Sequence, residues 1–266
     1  MKKQPTIAVL GPAGTFTETA ARRMFRGARL AYMDTVDDVF KYVDEGRDVG
    51  VIAIENSLEG SVVKNLESLM EHDVKICKEA TLDINLCLMK KRGGNLITTI
   101  LSHPHALAQC KNYLKKNYSK AKLQSADSTI AAIKQARTTK NGAAIGPKEA
   151  AKTYGLESIA ENIQDDLSQT RFIAISRQAC QAKKPHKTSI IYAVKDEPGA
   201  LYSVLRIFAD NSINLTKIES RPSRKKLGEY VFYVDFENGG MPKEKIDVIL
   251  LKIQERTTYL KNLGSY

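Results

Sequence analysis

Two α/β lobes with a ligand cleft between them, followed by a smaller α+β domain of ferredoxin-like βαββαβ order, are the fold class this 266-residue sequence predicts. Three observations predict it. Short apolar runs alternate with amphipathic segments from residue 6 to about residue 90. The same rhythm repeats from about 95 to 160, as expected for a second sheet covered on both faces. Beyond a polar, basic, Pro-containing stretch at 181–186 the pattern becomes strand, helix, two strands, helix, strand.

In the first lobe, IAVL (7–10) reads as a strand and GPAG (11–14) as a turn, followed by a helix from Phe16 or Thr17 to about Phe25. VGVIAI (49–54) is a continuous apolar run, the pattern of a strand buried on both faces. Residues 55–60 break it, and Ser61 is expected to open the next helix. In the second lobe, strand 96–101 leads through His103 and Pro104 into a helix running to Tyr113. Ser128 or Thr129 is a good N-cap for a helix carrying IAAI (130–133). Residues 142–145 form a strand, and Pro147 opens a helix closed by Gly155. The run 170–175 is strand-like and is placed back in the first lobe, as a second crossover. After the linker come strand 187–194, helix 198–211, strand 213–221, strand 230–237, helix 242–257 and strand 258–263. That is a unit of about 80 residues, within the usual domain range.

The bulk properties narrow the class. No apolar run reaches the length of a membrane span, and the N-terminus lacks the apolar core and cleavage site of a signal peptide, so a cytoplasmic location is expected. The net charge of +11 is dispersed, apart from Lys183, Lys184 and Lys187 in the linker and Arg224, Lys225 and Lys226 at a loop tip. With no nucleic-acid-binding signature beside it, the charge is assigned to solubility, with a contribution from an anionic substrate. Cys77, Cys87, Cys110 and Cys180 show no paired spacing and are expected as free thiols. His103 and His105 lack metal-ligand spacing and an acidic cluster, so no metal is expected.

The chemistry is placed in ENIQDDLSQTRF (161–172), where polar residues enter a strand. Thr170 offers a hydroxyl and Arg171 a guanidinium fork suited to a carboxylate. Upstream, Glu55, Asn56 and Ser57 end a buried strand, where open α/β sheets place their ligands. SHPHAL (102–107) and Asp127, Ser128 and Thr129 occupy equivalent junctions in the second lobe and are expected to line the other wall of the same cleft. The turn at 11–14 lacks the residues of a phosphate loop and reads as a tight turn at a helix N-terminus.

These residues carry a family resemblance over essentially the whole chain. GPAGTFTETAA (11–21), IENSLEGSV (54–62), SHPHALAQC (102–110), Ser128 with Thr129, AAIGPKEAAKTYGL (143–156) and NIQDDLSQTRF (162–172) resemble, in order, the motifs of the prephenate dehydratases. Gly199, Ala200 and Leu201, with Glu219, Ser220, Arg221 and Pro222, resemble the GAL and ESRP motifs of their C-terminal ACT domain. Three positions depart from the family pattern: Ala53 stands where Pro is usual, His105 where Gln is usual, and Ser168 where Asn is usual.

The resemblance implies a periplasmic-binding-protein type II-like catalytic domain at 1–182, with lobes at about 1–80 plus 168–182 and at 81–167, and an ACT regulatory domain at 187–266. It implies a carbon–oxygen lyase of phenylalanine biosynthesis that needs no cofactor. Thr170, Arg171 and Glu55 are then the catalytic candidates, with Thr170 and Glu55 competing as proton donor. Asn56, Ser57, Thr15, Phe16, Ser128, Thr129 and Phe172 are the substrate-binding candidates. The GAL and ESRP residues are associated with phenylalanine as allosteric effector, bound between ACT domains of a homodimer or homotetramer. Neither nucleic acid nor membrane is an expected partner. Arogenate, with an amino group in place of the keto group, is the alternative substrate, and a non-catalytic small-anion sensor the alternative function.

Overall fold

The structure is a computed structural model that describes residues 4–93, 96–178, 185–223 and 229–266. Most of the expected linker, Cys180 and the basic tip at 224–226 lie outside the described residues.

The chain begins with β1 (Thr6–Leu10), α1 (Phe16–Met24), β2 (Arg29–Met33), α2 (Val36–Asp44), β3 (Val49–Asn56), β4 (Gly60–Ser61), α3 (Val63–Glu71) and β5 (Lys75–Asp83). It continues with β6 (Leu86–Lys90), β7 (Thr99–Ser102), α4 (Pro104–Gln109), α5 (Lys111–Asn117), β8 (Lys122–Ser125), α6 (Thr129–Ala136), β9 (Gly142–Pro147), α7 (Lys148–Thr153) and β10 (Glu157–Ala160). β11 (Gln169–Ser176) follows. The last part holds β12 (Lys187–Ala193), α8 (Ala200–Asp210), β13 (Leu215–Pro222), β14 (Tyr230–Glu237), α9 (Lys243–Gln254) and β15 (Tyr259–Ser265).

Among the described residues three sheets form. The first runs β2-β1-β3-β11-β5, with β4 paired to the end of β3, and the second runs β10-β6-β9-β7-β8. These are the two lobes. The chain leaves the first between β5 and β6 and returns to it as β11, so the strand carrying Thr170 lies between β3 and β5. The two crossing segments are bonded side by side: the Ile84 amide donates to the Ser168 carbonyl (2.7 Å) and the Ile163 amide to Leu86 (3.0 Å).

Period-two alternation explains why the second lobe is layered. Cys87, Met89, Leu101 and Ala144 point to the face covered by α6 and α7, in one apolar cluster with Ile130, Ile133 and Ala150. Leu86, Leu88, Ile100, Ala143 and Ile145 point to the other face, packed with Ala106, Cys110 and Leu114 of α4 and α5. A strand buried on both faces must be apolar at every position, and β9 is buried throughout.

The third sheet runs β13-β14-β12-β15 with every described pairing antiparallel, the expected βαββαβ arrangement. Its α8 and α9 cover one face through Val204, Phe208, Ile246, Ile249 and Ile253, against Ile190, Tyr192, Val234 and Phe236. Contacts group the chain into two compact units. One holds the chain up to Val39 with Val51–Val62 and Ala80–Phe172; the other holds Phe40–Gly50, Val63–Glu79 and Ile173–Tyr266. Within the second unit, Lys261 of β15 donates to the carbonyls of Met70 (3.1 Å) and His72 at the C-terminal end of α3. Lys187 of β12 bonds both carboxylate oxygens of Glu79 (2.8 and 2.9 Å).

Several expected boundaries move, each for a local reason. Ser61 does not open a helix: Gly60 at φ +78° closes a tight turn, Glu55 pairs with Ser61 across it, and the helix starts at Val63. The strand expected from residue 96 begins at Thr99. The helix expected to reach Tyr113 is two helices meeting at Cys110, whose φ of −114° and ψ of 17° interrupt the first. The helices expected at 198–211 and 242–257 are shorter, Ala200–Asp210 and Lys243–Gln254, because Gly199 (φ +83°) and Pro242 stand outside them as caps. Cys87 and Cys110 are free and buried, but Cys77 is disulfide-bonded, contrary to the expectation of free thiols throughout. A half-cystine's partner is a matter of three-dimensional approach, which spacing along the chain does not reveal.

Candidate active site

Asn56 is the last residue of β3, and its side chain is committed on both sides. Oδ1 accepts from the amides of Leu58 (2.9 Å) and Glu59 (3.1 Å), which bends the chain into the turn at 57–59. Backbone amides only donate, so this bonding fixes which end of the carboxamide is oxygen. Nδ2 therefore faces β11, where it donates to Ser168 Oγ (2.8 Å) and Thr170 Oγ1 (2.9 Å). Ser57 ties the turn to the same strand: its amide donates to the Gln169 carbonyl (2.8 Å) and its hydroxyl accepts from the Gln169 amide (2.9 Å).

Thr170 and Phe172, both buried, project from one face of β11 into a cavity of about 430 Å³. That volume suits a small-molecule ligand. The first lobe adds Thr15, Phe16 and Thr17, with Ala53, Asn56 and Glu59, to its wall. The second lobe adds His103, His105, Ala106 and Gln109, with Asp127, Ser128 and Thr129, and Ile84 and Leu86 of the crossing segment complete it. The expected second wall, from SHPHAL and Asp127 to Thr129, thus faces the same space as Asn56 and Thr170.

Helix starts deliver several of these groups. Thr15 caps α1, its hydroxyl accepting from the Glu18 amide (3.2 Å), while Glu18 accepts from the Gly14 amide (2.8 Å). Gly14 has φ +91°, and a Cβ there would lie 3.2 Å from Ala150, so only glycine suits this approach to α7. Tyr154 seals the contact by donating to the Ala13 carbonyl (2.8 Å). Ser128 caps α6 through the Ala131 amide (3.0 Å).

The electrostatics follow from these contacts. Burial pushes the Glu18 carboxyl up, but the Gly14 amide and the Arg22 guanidinium outweigh it and hold the group below the usual carboxylate range. Burial, with His105 beside it, lowers the pKa of His103, so its neutral form is favoured in the cavity wall.

Three expected residues stand elsewhere. Arg171 alternates to the other side of β11 from Thr170, and its Nε lies 3.4 Å from Glu55 Oε2. Neither of that pair, nor Ser57, is among the residues lining the cavity. Glu59 and Gln109 line it without having been singled out from the sequence. Glu59 lies in IENSLEGSV and Gln109 in SHPHALAQC, where it follows His105 by four residues, the spacing that puts two side chains on one helical face. The regulatory candidates sit on two elements: Gly199, Ala200 and Leu201 open α8, and Glu219 to Pro222 close β13, where Arg221 Nε donates to Glu219 Oε1 (2.7 Å).

Comparison with known proteins places this geometry in a family. The family model described as prephenate dehydratase matches residues 7–180, and the ACT domain model matches 188–249. A prephenate dehydratase of Methanocaldococcus jannaschii is 42% identical, over 96% of this chain and 95% of its own. A crystal structure of prephenate dehydratase from Arthrobacter aurescens in complex with L-Phe superposes with a TM-score of 0.87 at 31% identity, covering 98% of this chain and 89% of that one. GqqA, described as a novel type of quorum quenching acylase, superposes with a TM-score of 0.88 at 26% identity, over 98% and 97%. With both models matched in order and a relative this similar along nearly its whole length, the chain belongs to the prephenate dehydratase family and carries a C-terminal ACT domain.

Proposed function

We propose that this chain converts prephenate to phenylpyruvate, with Thr170 as the group that acts on the leaving hydroxyl. In this reaction the ring C–O bond breaks to release water, the C–C bond to the ring carboxylate breaks to release carbon dioxide, and the ring becomes aromatic. Aromatisation supplies the driving force, so the protein has to hold the dianion in the reactive pose and supply a hydrogen-bond donor to the departing oxygen. One observation carries the assignment. Because Asn56 Nδ2 donates to Thr170 Oγ1, that oxygen already serves as an acceptor, and its own proton is directed elsewhere, with the cavity on that face of β11. A threonine is a very weak acid, so Thr170 acts as a hydrogen-bond donor to the developing hydroxide rather than by full ionisation, and the hydroxide takes its proton from solvent to leave as water.

Thr15, Phe16 and Phe172 flank the substrate ring, and Ser128 with Thr129 at the start of α6 faces a carboxylate. Arg171 and Glu55, joined off the cavity wall, act as a pair that fixes β11 beside β3, and Ser57 holds the same junction. Thr170→Val should lower kcat by about 10²-fold or more, the usual value of general acid help, in an assay of phenylpyruvate formation at neutral pH. A loss below about tenfold, with Glu55→Gln inactive, would transfer the role to Glu55. Arogenate run in parallel, with phenylalanine formation as its readout, ranks the two acids.

The remaining assignments complete the proposal. The catalytic domain spans 1–182, with lobes at 1–80 plus 168–182 and at 81–167, and the ACT domain spans 187–266. L-Phenylalanine binds at the GAL and ESRP residues, between ACT domains of a homodimer or homotetramer, and lowers activity. Support for the effector comes from the matched ACT model and from the L-Phe complex of the Arthrobacter relative. The enzyme works in the cytoplasm without a cofactor.

A further inference from the structure

Glu59 and His105 reach the cavity rim from different lobes. Glu59 ends the turn that follows β3, and His105 lies in the first turn of α4. Glu59 Oε1 sits 2.5 Å from His105 Nδ1, and Gln109, one turn further along α4, brings Nε2 to 3.5 Å from the same oxygen. All three residues line the cavity. The two side chains are 45% and 59% exposed, so the pair adds little to folding stability, and its position across the cleft is the informative fact.

The contact also continues inward. The Glu59 amide donates to Asn56 Oδ1 (3.1 Å), and Asn56 donates to Thr170 (2.9 Å), so a line of hydrogen bonds runs from α4 to the reactive hydroxyl. The site is read here as holding a dianion. A bare carboxylate at its mouth would repel that substrate, and donors on Glu59 lessen the repulsion without cancelling the charge.

We propose that Glu59 and His105 form a clasp that holds the two lobes together over the bound substrate, and that both are positioning residues. The inference rests on the reading of this cavity as the prephenate site. An ionised carboxylate can only accept, so His105 carries its proton on Nδ1, and the clasp does not require a charged imidazole. His103, with its ring 5.0 Å from that of His105, and Asp127 are the other titratable groups on this wall. The glutamine usual in the family at position 105 also offers a donor, which makes His105→Gln the conservative variant.

Steady-state kinetics on the full chain test the clasp. An interaction present equally in the bound ground state and the transition state changes KM and leaves kcat alone. His105→Ala should raise the KM for prephenate by about five- to tenfold with kcat within about twofold, and His105→Gln should bring KM back to within about twofold of the parent. A KM unchanged in His105→Ala, equal losses in the two variants, or a fall in kcat alone would each overturn the proposal. If the parent protein leaves prephenate untouched, the reading of the site fails, and ¹⁵N NMR of the His105 imidazole judges the clasp by itself. Nδ1 protonation that is lost in Glu59→Ala supports it, and an Nε2-protonated ring in the parent overturns it.

Discussion

Asn56 Nδ2 lies 2.9 Å from Thr170 Oγ1, and the direction of that bond is fixed by the two amides held on the other side of the same carboxamide. Asn56→Asp keeps the turn, since one carboxylate oxygen still accepts from Leu58 and Glu59. The other oxygen then accepts from Thr170 and pulls its proton out of the cavity. We expect kcat to fall by about 10²-fold with the melting temperature little changed, a separation that kinetics and thermal melts on one sample resolve.

Glu18 sets a pH dependence whose sign is determined. Its carboxyl is held below the unfolded value of 4.5, so its contribution to stability is complete above that value. It is lost as the pH falls through the lower folded value, where the native carboxylate must take up a proton. Glu18→Gln should therefore reduce the melting temperature at pH 7 and close most of the gap to the parent near pH 3, as read by calorimetry across that range.

Lys261 caps the carbonyls of Met70 and His72 from half-buried surroundings, and burial lowers its pKa. Lys261→Met leaves both carbonyls at the end of α3 without this donor. The cost of unsatisfied buried groups is about 1–3 kcal/mol, measurable by urea denaturation. A loss below about 0.5 kcal/mol would mean that water replaces the ammonium at little cost.

Glu219 receives both Lys217 (3.1 Å) and Arg221 at the end of β13, which holds the proposed effector motif in shape. Glu219→Ala should weaken phenylalanine inhibition about tenfold or more while uninhibited kcat/KM stays within about twofold, consistent with a coupling of about 1–3 kcal/mol. Inhibition curves with parent and variant enzyme decide it.

How far the fold was legible depends on how much of each element's environment is local. β3 was readable because burial on both faces forces an unbroken apolar run, whereas β14, whose sequence reads as a half-buried strand, is buried at four consecutive positions, Tyr233 to Phe236. β2 (RLAYM), β8 (KLQS) and β10 (ESIA), each short and at a sheet edge where sequence is weakly constrained, were not picked out, and neither were β5 and the interior strand β6. In the site, Thr170 and Asn56 were each legible as polar groups at strand ends. Their bond was not, since they are 114 positions apart and meet only through the strand order of the first sheet. The turning away of Arg171 was in principle readable from strand alternation beside Thr170. What could not be read was its partner, Glu55, which comes from the neighbouring strand.

The insertion of β11 between β3 and β5 has a consequence for biosynthesis of the molecule. The second lobe is one continuous stretch and can complete its sheet as soon as β10 has been made. The first lobe cannot: its sheet stays open, with two strands lacking their shared neighbour, until residues 169–176 emerge and slot between them. Such non-local pairing is slow, and it leaves strand edges exposed on the nascent chain. Thr170 rides on that final strand. A chain released before it lacks both the hydroxyl proposed to act on the substrate and the strand that completes the first sheet.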